Sequence, residues 1–142
     1  IENGGSFARA TDLLELIETC PNQWLGVCYN INAARLAGEC PVEGIRLLKK
    51  YLDCVKLSDV DEEHNPVLLG EGVVPNRKAV AELDNMGFGG WIVYDYPKLW
   101  VVEDGRDPRA VLQHASDTLY AWMQADEEVC ESDAAHCGCA TA

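Results

Sequence analysis

Two carboxylates, Asp59 and Asp95, each close a short apolar run: Cys54-Val55-Lys56-Leu57-Ser58 in one case, Trp91-Ile92-Val93-Tyr94 in the other. An apolar run ended by a carboxylate reads as a parallel strand with a working residue at its C-terminal end, where α/β folds keep their chemistry. Carboxylates placed there can move protons or hold hydroxyl groups. Strand alternation puts Lys56 and Ser58 on one face and Val55 and Leu57 on the other. Glu71, between Gly70 and Gly72, is either a candidate acid or a residue that shapes a loop. His64, in Asp61-Glu62-Glu63-His64, is either a substrate group over a site or a solvated loop histidine. No Gly-x-x-x-x-Gly-Lys phosphate loop is present. His136-Cys137-Gly138-Cys139, with Cys130 nearby, has metal-binding residue types at a spacing unlike structural zinc sites.

The elements that must position these groups follow from punctuation and periodicity. Between the two apolar runs lies a helix signal, with Asn76 as cap and Val80, Leu83 and Met86 on one face. Strand, loop, helix, strand over about forty residues is a βαβ unit, hence parallel strands. Upstream, Ile1-Glu2-Asn3 reads as the end of a strand. A helix capped by Thr11 and running to about Cys20 follows, with Leu13, Leu14, Ile17 and Cys20 inward. Trp24 to Tyr29 reads as a strand buried on both faces, and Asn30 to Glu39 as an irregular loop. Pro41 opens a helix to about Asp53 with Val42, Ile45, Leu48 and Leu52 inward. Downstream, Pro97 to Gly105 is a loop with an apolar patch, Leu99-Trp100-Val101-Val102, suited to a partner. A last helix enters at Asp107-Pro108 and buries Val111, Leu112, Ala115, Leu119 and Trp122. Residues 126–142 are acidic and small and read as a disordered tail. The fold class is α/β: parallel (β/α) units in residues 1–125, about four where a closed barrel has about eight.

Composition narrows the function classes. A hydrophobic fraction of 48% is globular. Lys plus Arg total 11 against 24 Asp plus Glu, a formal charge of -13, which argues against a nucleic-acid backbone as partner. No apolar run reaches the roughly 18 residues of a membrane span. The N-terminus lacks a signal-peptide pattern and begins without Met, which reads as a fragment or processed product. Seven cysteines at no metal-like spacing, with Cys20, Cys28, Cys40 and Cys54 expected as buried apolar residues, suggest a reducing cytoplasm.

The ordered motifs resemble a known family. Ile1-Glu2-Asn3 is similar to the "iEN" strand end of the xylose isomerase-like TIM barrels, a superfamily of sugar-phosphate isomerases and epimerases and of endonuclease IV. Val27-Cys28-Tyr29-Asn30 with Ala33-Ala34 and Gly38 resembles "vcyDxxHaxxaG". Val55 to Asp59 resembles "vHlkD", Leu69 to Gly72 with the helix to Gly87 resembles "lGeG…L…GfdG", and Trp91 to Asp95 resembles "GwxxxE". The likeness runs from Ile1 to about Trp122 and corresponds to the C-terminal half of the barrel.

The resemblance implies a sugar or sugar-phosphate substrate. It also implies a divalent metal (Mn, Mg or Zn) held by a Glu, an Asp, a His and a second Glu. Of these only Glu2 is kept. Asn30 stands for the Asp, Lys56 for the His, and Asp95 for the second Glu; Ala33 replaces a further His. By this likeness Glu2, Lys56 and Asp95 are the catalytic candidates. Asn30, Asp59, His64 and Glu71 are the substrate-binding candidates, although the likeness itself favours a loop-shaping role for Glu71, and Glu2, Asn30 and Asp95 would be the remaining metal ligands. An ammonium cannot coordinate a cation and repels it, so Lys56 is expected to replace the ion between Glu2 and Asp95, whose charges would raise its pKa. The alternative function is a non-catalytic relative that binds a polyol or a protein. Four units leave open sheet edges, so either a homodimer or an N-terminal half is expected to close the barrel.

Overall fold

A computed structural model describes residues 1–97 and 105–125. The chain runs α1 (Ala10–Thr19), β1 (Val27–Asn30), α2 (Ile31–Leu36), α3 (Pro41–Leu48), β2 (Leu52–Leu57), β3 (Asp59–Val60), β4 (Pro66–Val67), α4 (Asn76–Asn85), β5 (Trp91–Tyr94) and α5 (Pro108–Ala125). Strands β1, β2 and β5 pair in that order, all parallel. Glu2 adds a fourth position through a parallel bridge to Cys28, in which the Cys28 N–H donates to Ile1 O at 2.7 Å. β3 and β4 form a small antiparallel pair of their own. The main frame is thus a run of parallel β/α units with helices on one side.

That one-sidedness follows from alternation along each strand. Val27 and Tyr29 of β1 and Val55 and Leu57 of β2 are buried. They face Leu13 and Ile17 of α1, Ile45 and Leu48 of α3, and Val80 and Leu83 of α4 in one apolar cluster. Burying each such side chain stabilises by about 2 kcal/mol. Neighbouring helices also pack on one another, α1 on α3, α3 on α4 and α4 on α5. Arg46 of α3 bridges to Glu82 of α4 through Nε (2.8 Å) and Nη2 (2.7 Å).

Several sequence expectations change. The first full strand starts at Val27, not at Trp24, which is 86% exposed in a turn where its N–H donates to Asn22 Oδ1. β1 is not buried on both faces: Cys28 and Asn30 are only half-covered, because four strand positions do not close a barrel. The expected loop from Asn30 to Glu39 contains α2. Asn30 Oδ1 accepts from the Ala33 N–H at 3.1 Å and starts it, and Gly38 at φ +76 follows it. Arg9, not Thr11, precedes α1, and its N–H donates to Asp12 Oδ2. Cys20 is exposed, and Cys28, Cys40 and Cys54 are half-covered, so none is a buried apolar residue. α3 ends at Leu48, and Leu52 belongs to β2. Pro75 precedes α4, while Asn76 is buried inside it and donates from Nδ2 to Ser58 O. On α5, Val111 and Ala115 are buried but Leu112 is 53% exposed. The patch Leu99 to Val102 and the acidic tail lie outside the described residues.

Asp59 is a structural centre of the loop after β2. It is 2% exposed, and its carboxylate accepts three backbone N–H groups: Val60 (3.0 Å), Gly70 (2.9 Å) and Val74 (3.2 Å). Gly72 lies so close that a Cβ there would sit 2.2 Å from Asp59 Oδ1. Asp59→Ala would leave the buried Val60 and Val74 N–H groups and the more exposed Gly70 N–H without their acceptor and should cost about 2 to 4 kcal/mol by urea denaturation. A loss below about 1 kcal/mol would mean that water or a neighbour replaces the carboxylate.

Candidate functional site

The C-terminal ends of the strands carry one cluster of charge. Lys56 lies in β2, with Nζ 3.3 Å from Glu2 Oε1 and 3.2 Å from Asp95 Oδ2. Asn30, ending β1, donates from Nδ2 to the same Glu2 Oε1 at 3.0 Å. Glu2, Asn30, Lys56 and Asp95 therefore meet at one mouth. Parallel register makes this possible: Asn30 pairs with Lys56, and Lys56 with Val93. Asp95 follows two residues later on the same face, tied down by its N–H donating to Leu57 O at 2.8 Å. The side chains stay open to solvent, with Lys56 25%, Glu2 44% and Asp95 40% exposed.

Partial burial of Lys56 works against its charge. The hydrogen bonds that the ammonium donates to Asp95 and then Glu2 outweigh that, and the net shift is upward from the ordinary lysine value. The amine is thus a fixed cation and donor, unsuited to act as a base or to form a Schiff base at neutral pH.

The other candidates lie elsewhere. Asp59, expected to bind substrate, is instead the buried acceptor at the centre of its loop. His64 is exposed, at φ +66, in a turn where its N–H donates to Asp61 O. Glu71 is exposed in the turn Leu68–Glu71. Neither hydrogen-bonds to the Lys56 cluster among the described residues. Asp59 is thus a buried acceptor within its loop, while His64 and Glu71 stand in exposed turns.

Asn3 is the positioning residue that sequence reasoning missed. It is 3% exposed, accepts the Asn30 N–H at 2.6 Å, and donates to Asn30 O at 3.1 Å and Ala8 O at 2.9 Å. It clamps the first residues against the end of β1 and so sets Glu2 beside Asn30. Its sequence signals are its place at the end of the Ile1-Glu2-Asn3 motif and the Gly4-Gly5 break that follows, and neither gave it a role. Below the cluster, on the same face, Cys28 and Cys54 bring their sulfurs to 3.1 Å. Burial, then the Cys54 thiol, pushes Cys28 up to about 12.

A metal fits this arrangement poorly. Among the described residues no group of three or more His, Cys, Asp or Glu side chains is placed to hold one. The ammonium stands between the two carboxylates that would have to bind the ion.

Parallel β/α units, helices on one face and a polar cluster at the strand ends define part of a β/α barrel. The chain belongs to the xylose isomerase-like TIM barrel family, whose model matches residues 1–122. Solved structures agree on the fold. A xylose isomerase domain protein from Planctomyces limnophilus is 21% identical, with a TM-score of 0.66, covering 90% of this chain and 45% of that one. An L-ribulose 3-epimerase is 14% identical, with a TM-score of 0.74, covering 96% and 51%. A D-psicose 3-epimerase from Clostridium cellulolyticum H10, solved with D-tagatose, is 14% identical, with a TM-score of 0.66, covering 88% and 47%. The chain spans about half the length of these structures. No curated protein matched the sequence. No described helix is long and apolar enough to cross a membrane.

The raised Lys56 pKa has a signed consequence. A lysine held protonated in the fold contributes stability that is fully present below its unfolded pKa of about 10.4 and is lost as pH rises through the folded value. Urea unfolding between about pH 8 and about pH 11 should show stability falling more steeply at the alkaline end in the parent than in Lys56→Met. Equal slopes would mean that the ion pairs add nothing to the fold.

Proposed function

We propose that this chain is the C-terminal half of a sugar isomerase/epimerase-type barrel. Its mouth engages a sugar or sugar phosphate through Glu2, Asn30, Lys56 and Asp95, with an ammonium where the family's divalent metal is expected. The observation that carries this reading is Lys56 Nζ held at 3.3 Å and 3.2 Å by two carboxylates, one bridged to β1 and one just after β5. Three kinds of group then face a ligand: a cationic donor, two anionic acceptors and an amide. That set matches the hydroxyls and carbonyl of a polyol chain, and its partial exposure leaves room to exchange partners.

The chemistry follows from the charges. Lys56 donates a hydrogen bond to a carbonyl oxygen, so negative charge can develop there. One carboxylate, Glu2 or Asp95, takes the proton from the adjacent carbon and forms an enediol-type species. Returning that proton to the neighbouring carbon, while the hydroxyl proton on that carbon passes to the former carbonyl oxygen, interconverts aldose and ketose. Inversion of the centre instead requires the other carboxyl group to enter the step protonated: it delivers its own proton to the opposite face of the same carbon, and the first keeps the proton it took. No step passes through a metal. Each unit of an ion's charge would meet about 4 kcal/mol of repulsion from an ammonium about 4 Å away.

A second reading, a non-catalytic relative that binds a polyol or a protein, is favoured by a separate observation. Trp91 is 78% and Val93 43% exposed on the face that carries Lys56. An apolar face of that kind calls for a cover. In this reading the cover is a protein partner, which we assign to a second copy of this chain whose β/α units would close the barrel. The compartment that suits the free cysteines is a reducing cytoplasm.

Calorimetric titration with Mn²⁺, Mg²⁺ and Zn²⁺ should give no stoichiometric binding at this mouth in the parent. Lys56→His should acquire it; tight binding by the parent lost in Glu2→Gln would sink the ammonium reading. Turnover on a panel of ketoses and ketose phosphates, insensitive to chelator and lost in Lys56→Met, separates an enzyme from a binder. Saturable sugar binding without turnover selects the binder.

Light scattering should report a dimer of the 142-residue chain that Trp91→Lys dissociates. A stable monomer of the parent would contradict the second-copy closure.

A further inference from the structure

The inner sheet face carries one pair of groups that the proposed sugar chemistry does not use. Cys28 and Cys54 sit in register on adjacent parallel strands, with sulfurs 3.1 Å apart. Each lies two residues before a mouth residue on the same face, Cys28 before Asn30 and Cys54 before Lys56. Both are free thiols and partly accessible. Adjacent strands lie about 4.8 Å apart, inside the range of about 4.4 to 6.8 Å between Cα atoms that a disulfide spans. Closing the bond needs the sulfurs to approach by only about 1 Å. A side-chain rotation can supply that without a change of register.

We propose that Cys28 and Cys54 form an oxidative modification site, a dithiol that takes low-molecular-weight disulfides of the glutathione class and becomes a bridge between β1 and β2. The Cys54 sulfur, as its thiolate, attacks oxidised glutathione, forming a mixed disulfide and releasing one glutathione. The second sulfur loses its proton and attacks the protein sulfur of that mixed disulfide, releasing the second glutathione. The sum is two protein thiols plus one oxidised glutathione giving one protein disulfide plus two reduced glutathiones. Two electrons and two protons pass to the reagent. The neighbouring sulfur makes the second step intramolecular, so the mixed disulfide is short-lived. In the bridged form the strands that carry Asn30 and Lys56 are tied together directly beneath the mouth.

The test uses the 142-residue chain with Cys20→Ser, because trypsin otherwise leaves Cys20 and Cys28 together on segment 10–35, whereas Cys54 falls on 51–56. Native protein is treated with oxidised glutathione, blocked with an alkylating agent, digested and mapped by mass. The expected product is 10–35 joined to 51–56, lighter by two hydrogens. The ratio of joined segment to mixed disulfide should be at least about tenfold higher than in the same protein in urea, because proximity raises the effective concentration of the second thiol. With Cys28→Ser added, reaction should stop at Cys54 carrying one glutathione. The proposal is overturned if native protein gives no joined segment, whether both thiols stay free or each keeps its own glutathione. It is equally overturned if the ratio of joined segment to mixed disulfide is no higher than in urea, or if either cysteine pairs with another segment instead.

Discussion

Parallel register is the constraint on which the rest depends. Asn30 pairs with Lys56 and Lys56 with Val93, so side chains from separate strands stand level on one face. A slip of one residue in β2 would turn Lys56 to the helices and Val55 or Leu57 to the mouth, costing both core and cluster. The buried outward residues Val55 and Leu57 therefore hold the ammonium in place. The hydrophobic core sets the electrostatics at the strand ends.

Within that frame the mouth is a problem of charge. Two carboxylates near one another repel, and something positive must lie between them. In this chain it is a lysine of the same sheet, which needs no external ion and stays charged through the ordinary pH range. The exchange changes what the mouth can do. An ammonium donates hydrogen bonds in up to three directions but offers no open coordination position. Ligand binding must therefore proceed by substituting or sharing hydrogen bonds. The partial exposure of all three charged groups allows that.

The loop after β2 obeys a similar rule by other means. Asp59 collects three backbone donors and shapes the path from β3 through Gly70 and Gly72 to Val74. Those N–H groups compensate a buried carboxylate, where the exposed Asp95 has an ammonium. Two carboxylates at strand ends thus serve different ends. Asp95 faces the mouth with its lysine partner, and Asp59 faces inward with amides.

Much of the frame was legible in the sequence. Apolar runs ended by carboxylates marked β2 and β5, and proline and glycine marked helix entries and turns. The order of motifs marked the family. Alternation alone placed Lys56 opposite Val55 and Leu57. What the residues could not say was local and three-dimensional. Asn30 starts α2 through its own side chain, and small residues hide that helix from periodicity. Asn3 works through contacts to Asn30 and Ala8 that no spacing announces. Asp59 and Asp95 look alike in sequence, and only packing separated the buried acceptor from the exposed partner of Lys56. The covalent chain by itself determined which side of each strand a residue occupies, because the pleat repeats every two residues. Only the tertiary structure decided which of those residues meet, because hydrogen-bond register between strands distant in sequence is set by the burial of the opposite face.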